Sequence, residues 1–278
     1  FIRMAVDPGV LMAAPDNATL DQCINQLLSG SNRRTAQGLK VIIDMHFHNP
    51  SPVAGYSDVN IVASSSLNDV KYLRMKFCTS RLIKAMETAG IDPGMVAFEL
   101  FNEPPAGYAM FSIPWKTQIV DYWQSIRNSG SAFTLIVGGG AYCSIDWTSS
   151  GQSGDGLNAL TASNFDSNTA FSIHPYESGV MTLQSVGWPY IYMHGLTFPA
   201  SIYPGGLAQA KADFTRSAAG DTSAIDSVVT NTGWASSLDS YFVSYFGSAG
   251  SQTGLGSAAG IANRLKIALD WADSASVS

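Results

Sequence analysis

Charge is scarce in this sequence. Of 278 residues only 13% are charged, and 15 basic side chains against 21 acidic ones give a net charge of −6 and a pI near 5.0. A nucleic acid or an anionic membrane surface would call for a basic patch, so neither is expected as a partner. A neutral polymer fits the balance. Cysteine is equally sparse: Cys23, Cys78 and Cys143 lie far apart with no C-x-x-C spacing, which argues against a zinc site. One disulfide with a free thiol and three buried thiols both remain open. No apolar run approaches the roughly 18 residues of a membrane span, and no leader pattern is present. The chain opens on Phe1 rather than Met, and its first residues already read as a strand, so a processed chain or a fragment is expected.

What the sequence does have is centred on Met95 to Pro105, M-V-A-F-E-L-F-N-E-P-P. Val96, Phe98, Leu100 and Phe101 have the β-branched and aromatic density of a buried strand, stopped by two prolines that cannot donate to a ladder. Asn102 and Glu103 then sit at a strand's C-terminal end, where a parallel α/β barrel builds its chemistry. A glutamate in that position, beside an amide able to hold a hydroxyl, suits a general acid.

Other segments repeat the strand-then-helix rhythm. Phe1 to Val6 reads as a strand carrying one charge, Arg3, which inside a sheet must be paired. Leu20 to Leu28 has helical spacing after an Asn17 or Thr19 cap. Leu39 to Phe47, L-K-V-I-I-D-M-H-F, is a near-continuous apolar run covered on both faces, ending in Asp44, His46 and His48. Leu67, Val70, Leu73, Phe77, Leu82, Ile83 and Met86 predict an amphipathic helix up to Thr88, and Trp115 to Ile126 predicts another. Phe133 to Gly138 is a strand leading into Gly138-Gly139-Gly140, where backbone can approach a ligand closely. Asn168 to Tyr176 is a further strand whose period-two set is Ser172, His174 and Tyr176. Tyr56 and Trp147 are loop aromatics of the kind that stack on sugar rings, against an exposed ring with no such role for Tyr56 and core packing for Trp147.

F-E-L-F-N-E-P resembles the fourth-strand signature of family 5 glycoside hydrolases, cellulase-type retaining enzymes with a (β/α)8 barrel. The resemblance extends to R-M-A-V at Arg3, I-I-D-M-H at His46 and H-P-Y at His174 and Tyr176, covering about 200 residues. It implies that Glu103 is the acid/base, that Arg3 holds the nucleophilic glutamate ionised, and that His46, Asn102, His174, Tyr176 and Trp188 bind or support the substrate. The fold it implies is an α/β TIM-barrel type, incomplete in that strands one, seven and eight are not recognised. A single barrel-like domain over residues 1–278 is expected, with a Gly- and Ser-rich insertion or tail at about 201–260. The implied substrate is a β-1,4-linked glucan, cut endo rather than exo, without a cofactor and by a secreted or periplasmic enzyme.

The resemblance departs from the family pattern at the nucleophile. A retaining glycosidase needs two carboxyl groups about 5 to 5.5 Å apart. This sequence has four glutamates, Glu87, Glu99, Glu103 and Glu177, and none follows residue 177. Glu99 shares parity with Glu103 but is expected too deep to meet the same sugar atom. Glu177 is expected to point away. Five strands alone would leave two open edges, so either further strands lie in the Gly- and Ser-rich tail or a partner covers the edges. Two alternatives stand beside the hydrolase: a non-catalytic sugar-binding remnant of the same fold, and a metal-dependent, amidohydrolase-like enzyme using Asp44, His46 and His48.

Overall fold

A computed structural model of the chain describes all residues except 49–52, 64–65, 106–112, 146–147, 150–151, 154–155, 175–183, 233–235, 248–253 and 278. Tyr176, Glu177 and Trp147 therefore lie outside the described residues. The chain divides into two compact units, one made of Phe1–Thr148, Gln152–His174 and Ala275–Ser278, the other of Ser149–Gly151 and Pro175–Ser274.

The first unit is built on a parallel sheet of β1 (Ile2–Val6), β2 (Val41–Met45), β3 (Val96–Glu99), β4 (Thr134–Gly138) and β5 (Thr169–Ser172), hydrogen-bonded in chain order. Helices α1 (Pro8–Met12) and α2 (Asn17–Thr35) connect β1 to β2, α3 (Asp58–Val62) and α4 (Val70–Thr88) connect β2 to β3, and α5 (Trp115–Arg127) connects β3 to β4. This is the α/β architecture of consecutive strands in a (β/α)8 fold. Both faces of β2 are covered, as its apolar run requires: Val41, Ile43 and Met45 are buried on one face, and on the other Asp44 is buried and Ile42 half-buried. The ladder continues past β3 as far as the motif, because Leu100 N donates to Ile136 O at 3.0 Å and Asn102 N to Met45 O at 2.9 Å.

Two helix expectations need correction. The cap of α2 is Asp16, not Asn17 or Thr19. Its extended backbone (φ −148°, ψ 172°) lets its carboxylate accept from Thr19 N at 2.8 Å, whereas Asn17 and Thr19 are already helical. Helix α4 starts at Val70 behind an Asp69 cap, and its inner face is Tyr72, Met75, Cys78, Thr79, Leu82, Ile83 and Met86. Val70, Leu73 and Phe77 are exposed instead. The stripe beginning at Tyr72 keeps step with the 3.6-residue turn over the whole helix, and the outward Phe77 ring is capped by the Arg74 guanidinium 5.3 Å from its centre.

From Gln184 onward the described residues hold helices and no strand, so the further strands considered for the Gly- and Ser-rich tail are not found among them. Helices α6 (Gly206–Ser217), α7 (Thr222–Thr232), α8 (Leu238–Phe246) and α9 (Ala258–Ala275) occupy that stretch. Phe214, Val228, Tyr241, Phe242 and Tyr245 pack with Met193 and Leu196 as its core. The three cysteines are all free, which removes the disulfide alternative. No helix among the described residues is long and apolar enough to cross a membrane.

Candidate active site

The strand ends of the first unit carry the side chains singled out by the sequence. In the register Asp44 stands opposite Glu99, Glu99 opposite Ile136, and Gly138 opposite Ser172. Neighbouring parallel strands thus present Arg3, Asp44, Glu99 and Ser172 to one interior. His46, Asn102, Glu103 and His174 follow on the segments leaving the strands.

Arg3 is the hub. Its Nε and Nη2 donate to Glu99 Oε2 at 3.0 and 2.7 Å, Nη2 also donates to Asn102 Oδ1 at 2.7 Å, and Asp44 Oδ2 lies 3.4 Å away. Burial alone would lower the guanidinium's pKa, but the charges of Glu99 and Asp44 outweigh it and the net shift is upward. For Asp44 the balance goes against ionisation: burial, then the negative charge of Glu99, raise its pKa, against the His46 hydrogen bond and Arg3. One oxygen of Asp44, Oδ1, is buried without a hydrogen-bond partner.

The polar chain assigns its own protons. Arg3 can only donate, so the oxygen of the Asn102 amide must face it and the amide nitrogen must face His46 Nε2, at 3.3 Å. His46 Nε2 then accepts, its proton sits on Nδ1, and Nδ1 donates to Asp44 Oδ2 at 3.0 Å.

Glu103 lies at the other end of the cluster. Its Oε1 is 2.7 Å from His174 Nδ1, and the far ring nitrogen, Nε2, is 3.8 Å from Glu99 Oε1. Glu99 is 3% exposed, and its Oε1 also accepts from Ser172 Oγ at 2.9 Å. Glu103 has φ 46°, a left-handed backbone for a non-glycine residue directly before a proline. The loop is pinned from the next crossover, where Tyr142 N donates to Pro104 O at 2.9 Å.

That crossover is itself unusual. Ala141, Tyr142 and Cys143 have φ values of 50°, 62° and 58°, three consecutive non-glycine residues in the left-handed region. The turn folds Cys143 back beneath the sheet end, where its carbonyl accepts from His174 N at 2.9 Å. The thiol is fully buried and its pKa is pushed up to about 12, by burial first and then by Glu99, against the Glu103 backbone N–H and the Ser172 hydroxyl. The triple glycine serves this packing. A Cβ on Gly138 would stand 2.4 Å from Cys143 Sγ, and one on Gly139 would stand 2.3 Å from Leu157 N. The close approach is therefore made by the chain's own atoms rather than by a ligand.

Of the residues expected at a site, Arg3, His46, Asn102, Glu103 and His174 gather here, while Tyr176 lies outside the described residues. Trp188 belongs to the second unit, where it is exposed and its indole N–H donates to Asp221 Oδ2 at 2.9 Å. Tyr56 has the Lys71 ammonium 6.0 Å from its ring centre. Among the described residues the metal triad Asp44, His46 and His48 does not assemble: His48 is exposed, and its backbone N–H meets Asp7 Oδ2 at 3.4 Å. Among the described residues the group able to converge on an ion is Glu99, Cys143 and His174. Sequence reasoning missed Cys143 as a neighbour of the site, whereas Ser172 was placed on the inward side with His174 and Glu99 is buried beneath Glu103's loop. The shared parity of Glu99 and Glu103 was the one available signal.

Comparison with known proteins follows the same line. The model of the cellulases of glycosyl hydrolase family 5 matches residues 1–255. Among solved structures, the cellulose synthase subunit Z (CcsZ) of Clostridioides difficile is similar, with 18% identity and a TM-score of 0.51 over 79% of this chain and 64% of that one. Thermotoga maritima Cel5A, solved in complex with mannotriose, gives 16% identity and a TM-score of 0.49 over 79% of this chain and 63% of that one. The chain thus spans under two thirds of the length of either protein. At 18% identity the first likeness concerns the fold alone. No curated protein matches the chain.

Proposed function

Since the chain belongs to glycoside hydrolase family 5, we propose that it hydrolyses a β-1,4-linked glucan with Glu103 as general acid/base. The observation that carries this reading is the 2.7 Å contact of Glu103 Oε1 with His174 Nδ1, at the end of a strand whose Asn102 is tied to Arg3 and His46. A carboxyl group positioned by a histidine at a strand end suits proton delivery to a leaving-group oxygen.

Each neighbour has a task in this reading. Asn102 and His46 hold sugar hydroxyls, their orientations set by Arg3 and Asp44. His174 fixes the Glu103 carboxyl. Tyr176 and Trp188 are substrate contacts by resemblance to the family motif. Glu99 differs from the attacking carboxylate that a retaining mechanism needs about 5 to 5.5 Å from the acid. Both of its oxygens are already paired, Oε2 with Arg3 and Oε1 with Ser172. We assign it the task of holding Arg3 and His174 in place. Endo-acting cleavage outside the cytoplasm is part of the same proposal, supported by the low charge of the chain.

The test is reducing-end release from carboxymethyl cellulose by the chain and by its Glu103→Gln variant. Loss of an acid/base group should lower the rate by about 10²- to 10⁴-fold. A variant as fast as the parent would remove Glu103 from the chemistry. If the parent binds cello-oligosaccharide without turnover, the sugar-binding reading replaces the hydrolase, because a cradle lacking a free second carboxylate holds a glycan without cleaving it.

A further inference from the structure

We propose that Cys143 is a positioning residue for Glu103 and His174, its left-handed turn acting as a clip that holds the two in register. Its carbonyl oxygen accepts from His174 N at 2.9 Å, and its sulfur accepts from the Glu103 backbone N–H. One residue earlier, Tyr142 N donates to Pro104 O at 2.9 Å. The chain is therefore gripped on either side of the Glu103 Cα by two consecutive residues of the turn. The same sulfur stands 3.9 Å from Ser172 Oγ, which donates to Glu99 Oε1. A fully buried side chain thus touches or adjoins the segments that carry Glu103, His174 and the support of Glu99.

Glu103 needs such a grip. A residue before proline favours extended backbone, yet Glu103 has φ 46°, and a non-glycine residue stays left-handed only where its surroundings compel it. Released, its backbone would return to the extended region and rotate the Cα–Cβ bond, carrying the carboxyl away from His174 Nδ1, now 2.7 Å distant. The turn at Ala141, Tyr142 and Cys143 is itself left-handed throughout, and in that conformation it offers a backbone donor to Pro104 and a backbone acceptor to His174 at once. Cysteine suits the third position. With its pKa pushed up to about 12 the thiol stays neutral, so it accepts the Glu103 N–H without adding a negative charge beside Glu99 and Glu103. Gly138 leaves the room for it, since a Cβ there would stand 2.4 Å from the sulfur.

The kinetic consequence rests on the proposed function, whereas the clip does not. Loss of the sulfur loosens the acid/base group but leaves Asn102 and His46, which hold sugar hydroxyls in that reading, on their own hydrogen bonds. Turnover should suffer and substrate binding should not. The loss should be greatest for a leaving group that cannot depart without a proton.

Two measurements on the full chain test this. Hydrogen exchange of the Glu103 amide, followed by NMR, reads the clip without any reaction. In Cys143→Ala it should quicken by at least about tenfold relative to the Asn102 amide, which Met45 O holds. Rates on aryl cellobiosides read the consequence: kcat for the phenyl glycoside should fall about 10- to 100-fold with KM within about twofold. The fall should be smaller for the dinitrophenyl glycoside, whose leaving group departs without a proton. Cys143→Ser, with an oxygen that can still accept, should recover most of both effects. Cys78→Ala, which removes an equally buried thiol from α4, should show neither. Should Cys143→Ala fail to fold by circular dichroism, Cys143→Gly replaces it, because glycine takes a left-handed backbone without strain. Glu103 exchange as slow as in the parent, equal losses for the two leaving groups, or the same losses in Cys78→Ala would each overturn the proposal. If the parent turns over no glycoside while the exchange result holds, the hydrolase reading fails and the clip stands.

Discussion

Arg3 and Glu99, 96 residues apart in the chain, are joined through two nitrogens of the guanidinium and one oxygen of the carboxylate, at 3.0 and 2.7 Å. The resemblance to the family implies a nucleophilic glutamate as the partner of this arginine. The described residues give it Glu99 and Asn102 instead, so Arg3 is tied to the floor of the site and to the residue before Glu103.

Removing Arg3 strands a buried charge. Arg3→Met should lower stability by roughly 3 kcal/mol, the lower end of the range for breaking a buried pair, because the arginine itself is partly exposed. Arg3→Lys should recover less than half of that, since an ammonium cannot copy the two-nitrogen fork. Urea denaturation of the three chains measures this, and midpoints equal to the parent's would show that the pair contributes nothing.

Asp44 gives the stability a pH dependence of definite sign. Its folded-state pKa is raised by burial and by Glu99, so the folded chain holds this proton more tightly than the unfolded chain does. Its contribution is then most favourable below the unfolded value of about 3.9 and is lost as pH rises through the raised folded value. Asp44→Asn removes that loss. The stability of the variant relative to the parent should therefore increase as pH rises from about 4 through the raised folded value, followed by urea midpoints at each pH. A difference independent of pH would mean that Asp44 titrates alike in both states.

Gly139 should tolerate no side chain. The Cβ of Gly139→Ala would meet Leu157 N at 2.3 Å and Gly156 C at 2.4 Å, both backbone atoms that cannot swing away. Overpacking of this kind costs about 1 to 3 kcal/mol. Thermal unfolding of Gly139→Ala should show it, whereas Gly130→Ala, with open space around its Cβ, should suffer only the backbone strain of φ +84°. Equal midpoints for Gly139→Ala and the parent would mean that the two segments separate freely.

How far the site could be read in advance depended on the kind of signal each residue carries. Glu103 stood out because an apolar strand followed by N-E-P is a local pattern, and local patterns survive in a single sequence. Glu99 was visible only as a parity match, and judging its depth required knowing that the ladder continues through Leu100 and Asn102 after the strand proper. Cys143 had no local signal. It reaches the site by a left-handed turn of three residues that sequence preferences argue against, and such a turn persists only when its surroundings compel it. Phe77 misled for the opposite reason, since apolar character alone suggested the inner face and the arginine covering its ring is not a sequence feature.

The sequence by itself determined the order of strands and helices in the first unit and the residues at the strand ends, because hydrophobic periodicity, caps and prolines act over a few neighbours. Tertiary structure alone decided which charges meet. In a parallel sheet each strand's partner lies a whole crossover away, and register sets Asp44 beside Glu99 and brings Ser172 and His174 to the same carboxylate. Those pairings depend on how strands align across tens of residues.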